Sequence, residues 1–161
     1  MSALTVTPMD RDAALAITRW QYPPPYSVYG LGDDPLATAL FLCDIENGYY
    51  QLRDADGALV AFCCFGADAQ VPGGDYRAPA LDLGIGVRPD LTGRGEGMRY
   101  LGAVLAFADE HFHPPALRLT VAAFNQRAYR LYHRAGFRAI QRFRSTYSEQ
   151  EYIVMLRATS R

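Results

Sequence analysis

Residues 86–98 read GVRPDLTGRGEGM, and Gly93, Gly95 and Gly97 alternate there just before an apolar helix is predicted to begin. Glycine has no Cβ, so its backbone N–H can approach a ligand closely and its φ can be positive. The first amides of a helix have no partner within the helix, and the helix dipole adds positive charge there. The stretch therefore predicts a site for an anion, with phosphate as the best candidate and a plain flexible turn as the alternative.

Two familiar phosphate-binding motifs do not account for this loop. A dinucleotide fingerprint, G-x-G-x-x-G, would need its third glycine where Met98 or Pro89 stands. A P-loop needs a lysine after its last glycine, but all 16 basic residues of the chain are arginines. The lack of lysine also excludes a pyridoxal Schiff base. The loop is therefore predicted to bind phosphate through its backbone amides.

Length and composition predict one globular domain spanning residues 1–161, because half of the residues are hydrophobic. The N-terminal residues lack the pattern of a signal peptide, and no apolar run approaches the length of a membrane span. The three cysteines have no C-x-x-C spacing, and the adjacent Cys63 and Cys64 are typical of small core residues. We therefore expect a cytoplasmic protein that makes no membrane contact.

Charge is distributed unevenly along the chain, although the net charge is only −1. Residues 1–110 contain 15 acidic residues and 7 arginines, whereas residues 111–161 contain 2 acidic residues and 9 arginines. The arginine-rich half predicts a basic surface for an anionic ligand, with nucleic acid as a rival partner. The alternative is that folding brings the two halves together and neutralises them.

Hydrophobic periodicity predicts an α/β chain in which a mixed sheet carries helices on its faces. The predicted strands are Ala3–Thr7, Tyr49–Arg53, Leu59–Phe65, Leu81–Val87, Leu117–Val121, Phe137–Arg144 and Tyr152–Leu156. The predicted helices are Met9–Trp20, Pro35–Asp44, one whose apolar face runs from Met98 to Phe112, and one that follows the N-cap Asn125 and stops at Gly136. Three prolines keep residues 20–30 extended or turned, and Asp54 to Gly57 favours a hairpin.

Three separated segments resemble the GNAT superfamily of acetyl-coenzyme A (acetyl-CoA) dependent N-acetyltransferases. Leu83 to Gly97 is similar to the segment of that family that binds the acetyl donor, and Asn125 to Phe137 is similar to its pattern Asn-x-x-Ala-x-x-x-Tyr-x-x-x-Gly-Phe. Glu151 to Met155 is similar to the last strand of the family. The resemblance covers nearly the whole chain. It implies a mixed, mostly antiparallel sheet of about seven strands flanked by about four helices.

The resemblance implies acetyl-CoA as the donor co-substrate. Asn125 is then both a helix cap and a donor contact, with the two roles inseparable in the sequence. The other donor-binding residues that it implies are Ile85, Gly86 and Val87 along the pantetheine arm, and Gly93, Arg94, Gly95, Glu96, Gly97 and Met98 around the pyrophosphate.

Two positions of the donor loop depart from the family pattern. Thr92 stands where the family has arginine or glutamine, so any ordering of the loop by that longer side chain is lost. Glu96 stands where an apolar residue is more common, and a carboxylate facing a pyrophosphate would repel it. We therefore expect Glu96 to point outward, with pairing to Arg94 or Arg99 as the alternative.

Tyr132 is the predicted general acid, because its place in the second segment is that of the family's catalytic tyrosine. Taken alone, a tyrosine on an amphipathic helix indicates core packing. The general base is not identified. Some relatives have a glutamate five residues before the signature asparagine, and that position is Thr120 here. Asp82 is the leading candidate, while Asp44, Glu46 and Asp75 stay open, as does an amine that arrives already neutral.

Four aromatic residues lie in the segment that covers the acceptor site in GNAT folds: Trp20, Tyr22, Tyr26 and Tyr29. Aromatic walls suit an amine through packing and cation–π attraction, although such residues can equally cap a core. The acidic first half favours a cationic acceptor. His111 and His113 have no third ligand at a suitable spacing, so we expect no metal.

The function predicted from these features is transfer of an acetyl group from acetyl-CoA to a primary amine by direct attack, with Tyr132 as general acid. The acceptor is either a small cationic amine or a protein amine. One alternative is a catalytically weak GNAT domain that binds acyl-CoA as a sensor or partner. A second alternative is an arginine-rich nucleic-acid-binding domain, although no RNA-recognition motif is present. Monomer and homodimer both stay open.

Overall fold

The structure, a computed structural model, describes residues 3–29 and 34–159. It divides into two compact units, which are described one after the other. The first unit comprises Met1–Cys64 and Ile85–Phe107, and the second comprises Phe65–Gly84 and Ala108–Arg161.

Seven strands and four α-helices are found in the described residues, which confirms the predicted α/β class. The strands are β1 (Thr5–Pro8), β2 (Tyr49–Arg53), β3 (Leu59–Phe65), β4 (Leu81–Val87), β5 (Ala116–Ala122), β6 (Arg138–Arg144) and β7 (Glu151–Ala158). The helices are α1 (Arg11–Ile17), α2 (Pro35–Cys43), α3 (Gly97–Phe112) and α4 (Gln126–Arg134). The strand order is β1-β2-β3-β4-β5-β7-β6, and of the pairings described only β4 with β5 is parallel.

In the first unit, helix α1 starts where Asp10 can cap it. The Asp10 carboxylate accepts a hydrogen bond of 2.8 Å from the amide of Ala13, which satisfies one of the unpartnered helical donors. The helix buries the side chains of Ala13, Ala14 and Ile17. Our predicted helix, Met9–Trp20, was too long at both ends, because the capping residue lies outside the helix and the chain turns before the prolines.

Strands β2 and β3 of the first unit form the predicted hairpin. Its turn is closed by Asp54, whose carboxylate accepts bonds of 3.0 Å from the amides of Asp56 and Ala58. Gly57 follows with φ +83°, a conformation that glycine adopts without strain. The turn therefore fixes the register in which β2 pairs with β3.

In the second unit, β7 lies between β5 and β6. Every residue of β5 is paired with β7, from Ala116 with Ala158 to Ala122 with Tyr152. The β6–β7 register shifts between Ala139 and Gln141, so Ile140 is a bulged residue. Helix α4 begins after Asn125, as predicted, and ends before Gly136, whose φ of +98° requires glycine.

Candidate active site

The predicted donor loop lies between β4 and α3 in the first unit. After a short 3-10 turn at Pro89–Leu91, the chain passes through Gly93 with φ +73° and Gly95 with φ +77°. A side chain is strained in this left-handed conformation, so both positions favour glycine. A Cβ built on Gly95 would meet no atom within 4 Å, so the space beside this residue is open.

The first turn of α3 presents backbone amides toward the end of this loop. The carbonyl oxygen of Glu96 accepts hydrogen bonds from the amides of Arg99, at 3.0 Å, and Tyr100, at 3.3 Å. The amides of Gly97 and Met98 therefore precede the first bonds of the helix and have no acceptor within it. With the helix dipole, this arrangement suits a phosphate group.

Glu96 turns its side chain toward Arg99, one of the two pairing partners considered for it. The two side chains form an ion pair of 3.0 Å one helical turn apart, and both are solvent-accessible. Pairing reduces the repulsion that a carboxylate at this position would exert on an anionic ligand. The departure from the family pattern at Glu96 is therefore compatible with anion binding at the loop.

Two of the four predicted acceptor aromatics have defined contacts in the first unit, Trp20 with Phe62 of β3 and Tyr22 with the end of β4. The Trp20 ring lies 5.9 Å from the Phe62 ring, and a Cβ on Gly86 would overlap the ring of Phe62. Position 86 therefore favours glycine while the Phe62 ring keeps its position. The hydroxyl of Tyr22 donates a hydrogen bond of 2.7 Å to the carbonyl oxygen of Val87, and burial raises the pKa of Tyr22 to about 12.

The other two predicted acceptor aromatics are Tyr26 and Tyr29. Tyr26 begins a short 3-10 turn that ends at Tyr29, and its amide donates a bond of 2.8 Å to the carbonyl of Pro23. The Tyr26 side chain is half-buried. The side chain of Tyr29 lies outside the described part of the structure. A role in acceptor binding stays a prediction for all four aromatics.

The ladder between β4 and β5 is short. It comprises two pairs, Leu81 with Leu117 and Asp82 with Arg118. In the part of the chain that the structure describes, Leu83–Val87 lies beyond this ladder. An extended ligand needs a strand edge of this kind to form backbone hydrogen bonds, so the residues Ile85, Gly86 and Val87 fit the predicted pantetheine contact.

Asn125 is shown to be a helix cap. Its side-chain oxygen accepts a bond of 3.1 Å from the amide of Ala128, and the residue is buried. The predicted general acid, Tyr132, is half-buried on the same helix in the second unit. Its ring meets Phe137 edge to face with centroids 6.3 Å apart, and its carbonyl accepts the Phe137 amide at 3.0 Å. Packing therefore fixes the orientation of the ring.

Asp82 is poorly suited to act as a general base. It is buried in the second unit, where one oxygen lies 2.6 Å from Nε of Arg118 and the other accepts bonds of 2.9 Å from Arg118 and 2.8 Å from Gln70. Accepting a proton would break this buried ion pair, which is costly. The structure gives Asp82 a structural role that the sequence did not reveal.

Two of the three remaining carboxylates, Asp75 and Asp44, have local partners. Asp75 pairs with Arg77 at 2.9 Å, and this contact lowers the pKa of Asp75 to about 2. Asp44 accepts a bond of 3.0 Å from the amide of Glu46. All three acids are exposed. A carboxylate with so low a pKa is a weak base, so Asp75 is disfavoured, while nothing distinguishes Asp44 and Glu46.

Two structural features of the second unit were missed by sequence reasoning. Thr120, the residue at the family's glutamate position, is hydrogen-bonded to Tyr76, with the two hydroxyl oxygens 2.8 Å apart. Arg118 is buried, and its guanidinium lies 5.2 Å from the centre of the Tyr76 ring. It also donates to the carbonyls of Ala78, at 2.8 Å, and Tyr76, at 3.1 Å. The sequence signal that could have revealed this role of Arg118 was an arginine within the otherwise apolar strand ALRLTVA.

A shallow groove of about 550 Å³ also lies in the second unit. Its lining includes Gln126 and Tyr129 of α4 and Ile140 of β6. None of the predicted site residues lines it.

No group of three or more histidine, cysteine, aspartate or glutamate side chains suited to a metal ion occurs among residues 3–29 and 34–159.

Comparison with known families identifies the class of protein. Residues 13–137 match the Acetyltransferase (GNAT) family, so the chain belongs to this family of N-acetyltransferases, whose co-substrate is acetyl-CoA. The predicted resemblance is therefore confirmed. No curated protein sequence matches the chain. In the described residues, none of the helices has the length and apolar character needed to cross a bilayer.

Solved structures share the fold at low sequence identity. A GNAT-family acetyltransferase from Bordetella pertussis has a TM-score of 0.71 at 19% identity, with 98% of this chain and 99% of that chain covered. A chimera of the spermidine N-acetyltransferase from Vibrio cholerae and its human counterpart has a TM-score of 0.70 at 16% identity, with 96% and 95% covered. A structure described as a phosphinothricin N-acetyltransferase has a TM-score of 0.70 at 16% identity, with 99% and 100% covered.

Proposed function

We propose that this chain transfers the acetyl group of acetyl-CoA to a primary amine by direct attack. The observation that carries the proposal is the loop before α3, where Gly93 and Gly95 have positive φ and the amides of Gly97 and Met98 precede the first helical bonds. Such a loop suits the pyrophosphate of coenzyme A. Arg94 and Glu96 contribute their backbone amides in this proposal, because the carboxylate of Glu96 is directed to Arg99.

The edge of β4 is proposed to hold the pantetheine arm. Ile85, Gly86 and Val87 lie beyond the ladder with β5, which supports backbone pairing with an extended ligand. The Val87 carbonyl already accepts the Tyr22 hydroxyl, so its second lone pair is the one available to the arm. Asn125 caps α4, and its proposed donor contact is additional to that bond.

The acceptor is proposed to be an amine that is cationic before it reacts. The acidic excess of residues 1–110 and the aromatic residues Trp20 and Tyr22 support this proposal, because both features attract a cation. Two structural neighbours are named for acetylation of spermidine and of phosphinothricin, which are both amines. A small amine and a protein amine are equally compatible with these observations.

Tyr132 is proposed to act as the general acid. The bound donor supplies a thioester whose carbon–sulfur bond breaks as the amine nitrogen bonds to the carbonyl carbon. The phenol of Tyr132 then gives its proton to the departing sulfur, and Phe137 and the helix keep the ring in position. A positioned acid of this kind contributes on the order of 10²-fold to the rate.

The proton of the amine is proposed to leave to solvent rather than to Asp82. Both oxygens of Asp82 are engaged by Arg118 and Gln70. An amine must be neutral to attack, so the rate should rise with pH until the amine is deprotonated. A steep pH dependence set by the pKa of the acceptor is the signature of this arrangement.

Calorimetry with acetyl-CoA followed by turnover against a panel of amines tests the proposal. Donor binding and acetylation of at least one amine are expected, and the panel should include spermidine, phosphinothricin and lysine-containing peptides. Donor binding without turnover of any amine would favour the sensor alternative. Tight binding of duplex DNA that weakens steeply with salt, without donor binding, would favour the nucleic-acid alternative.

A further inference from the structure

Helix α2 is apolar on its exposed side as well as on its buried side. Its sequence, PLATALFLC, contains no charged residue. Ala39 and Leu42 are buried, whereas Leu36 and Leu40 are 70% and 75% exposed. A helix that is hydrophobic all round is normally buried on every side. The outer face of α2 therefore has the composition of a surface that a partner covers.

Two more apolar side chains near this face are also exposed. Phe41 is 43% exposed, and Ile45, just beyond the helix, is 78% exposed. We call Leu36, Leu40, Phe41 and Ile45 together the α2 patch. A single exposed apolar residue is ordinary, but a group of large ones marks an interaction site. The α2 patch therefore provides the apolar centre of an interface.

The charge around the α2 patch is negative. Asp34 caps the start of the helix, and Asp44 and Glu46 follow its end, all exposed to solvent. Residues 20–52 contain no arginine, lysine or histidine. Two copies of the chain that packed α2 against α2 would bring these acids together, which is unfavourable. A partner with basic residues around an apolar centre is complementary to the α2 patch and to the acidic residues around it.

A row of aromatic rings connects the α2 patch with the end of β4, within the first unit. The centroid of Phe41 lies 6.1 Å from that of Tyr49, and Tyr49 lies 6.1 Å from Phe62. Phe62 in turn occupies the space beside Gly86. The patch is therefore joined by packed side chains to the segment that the proposed function assigns to the donor.

We propose that the α2 patch docks a basic, apolar polypeptide segment, and that this segment carries the acceptor amine. The docking follows from the apolar helix and its acidic surroundings. The assignment of the docked segment as acceptor rests on the proposed function, and it narrows the acceptor to a polypeptide. A small free amine would leave the patch exposed, because it offers no apolar surface of matching size.

A labelled amphipathic peptide of leucine and lysine is the probe for docking, measured by fluorescence anisotropy on the full chain. Leu40→Gln/Ile45→Gln should weaken binding roughly tenfold or more, because it removes two apolar contacts. Ile140→Gln is the matched control, since Ile140 is a 52% exposed aliphatic residue of β6. A peptide with glutamate in place of lysine should not bind.

Docking is overturned if the wild type does not bind the leucine–lysine peptide. It is also overturned if Leu40→Gln/Ile45→Gln binds the peptide as tightly as the control Ile140→Gln does. It is also overturned if light scattering shows a dimer that only Leu40→Gln/Ile45→Gln dissociates, because the patch would then pair two copies.

Acetylation of the peptide tests the acceptor assignment. Leu40→Gln/Ile45→Gln should raise the KM for the peptide roughly tenfold, while Ile140→Gln should not change it. Spermidine, assayed separately with the wild type, tests acetyl transfer itself. Variant-sensitive docking without transfer to either amine would retain the docking surface and refute the proposed function. Transfer to spermidine without peptide binding would support the proposed function and refute the docking surface.

Discussion

The hydroxyl of Tyr22 donates a hydrogen bond of 2.7 Å to the carbonyl oxygen of Val87, and so ties the proline-rich segment after α1 to the end of β4. Tyr22→Phe removes this bond but keeps the ring. We expect the free energy of unfolding to fall by about 1 kcal/mol, the usual contribution of such a bond. Urea denaturation near neutral pH measures the change. An unchanged midpoint would show that the bond contributes nothing to stability.

The burial of the Tyr22 phenol predicts how stability depends on alkaline pH. Burial raises the pKa of Tyr22 from 10 to about 12, so the folded protein prefers the protonated phenol. The resulting stabilisation is fully present below pH 10 and is lost as the pH rises from 10 to about 12. The stability difference between wild type and Tyr22→Phe should therefore shrink over this interval. A difference that stays constant to pH 12 would contradict the burial of the phenol.

Gly95→Val should weaken binding of coenzyme A roughly tenfold or more, because the new side chain occupies the open space proposed for a phosphate. Gly57→Val is the matched control. Both glycines have similar positive φ, +77° and +83°, and neither has an atom within 4 Å of a Cβ. Both variants should therefore suffer similar backbone strain. Calorimetry showing equal loss of affinity in both variants would refute the pyrophosphate assignment.

Tyr132→Phe should lower kcat on the order of 10²-fold and leave the affinity for acetyl-CoA nearly unchanged, because only the proposed proton donor is removed. Tyr129→Phe is the control on the same helix, since Tyr129 stacks on His133 with centroids 6.3 Å apart and has no proposed role. Loss of the alkaline limb of the pH–rate profile in Tyr132→Phe alone would support the role. Full activity of that variant, with chemistry limiting turnover, would show that the proton comes from another group.

Arg118→Met should lower the free energy of unfolding by about 3–5 kcal/mol, because it leaves the buried carboxylate of Asp82 without its partner. The double variant Arg118→Met/Asp82→Leu should be more stable than Arg118→Met, since no charge then stays buried. Thermal and urea denaturation of the four proteins of this cycle give the coupling energy. Additive effects of the two changes would mean that the pair does not act as a unit.

Local sequence signals predicted those parts of the fold that depend on neighbouring residues. Strands β2 and β3 were predicted to the residue, because the turn chemistry of Asp54 and Gly57 bounds them. The N-cap Asn125 was found by its place before an amphipathic helix. Helix α1 was predicted too long, since the apolar pattern includes Met9 and Trp20 whereas the helix starts only after its cap, Asp10, and ends at Ile17.

Contacts between distant parts of the sequence could not be predicted. The pairing of Asp82 with Arg118 joins residues 36 positions apart, and the bond between Tyr76 and Thr120 joins residues 44 apart. From the sequence alone, each of these side chains could lie on the surface or in a buried pair, because the partner is distant in the chain. For that reason Asp82 was proposed as a base, although its partners give it a structural role.

The fit of Phe62 beside Gly86 constrains how the chain could diverge. A methyl group added at position 86 would overlap the ring, so that change is disfavoured while the ring keeps its position. Loss of the ring first would open the space and make position 86 permissive. The two positions are thus coupled, because a side chain at position 86 needs the ring at position 62 to shift or to be replaced by a smaller group.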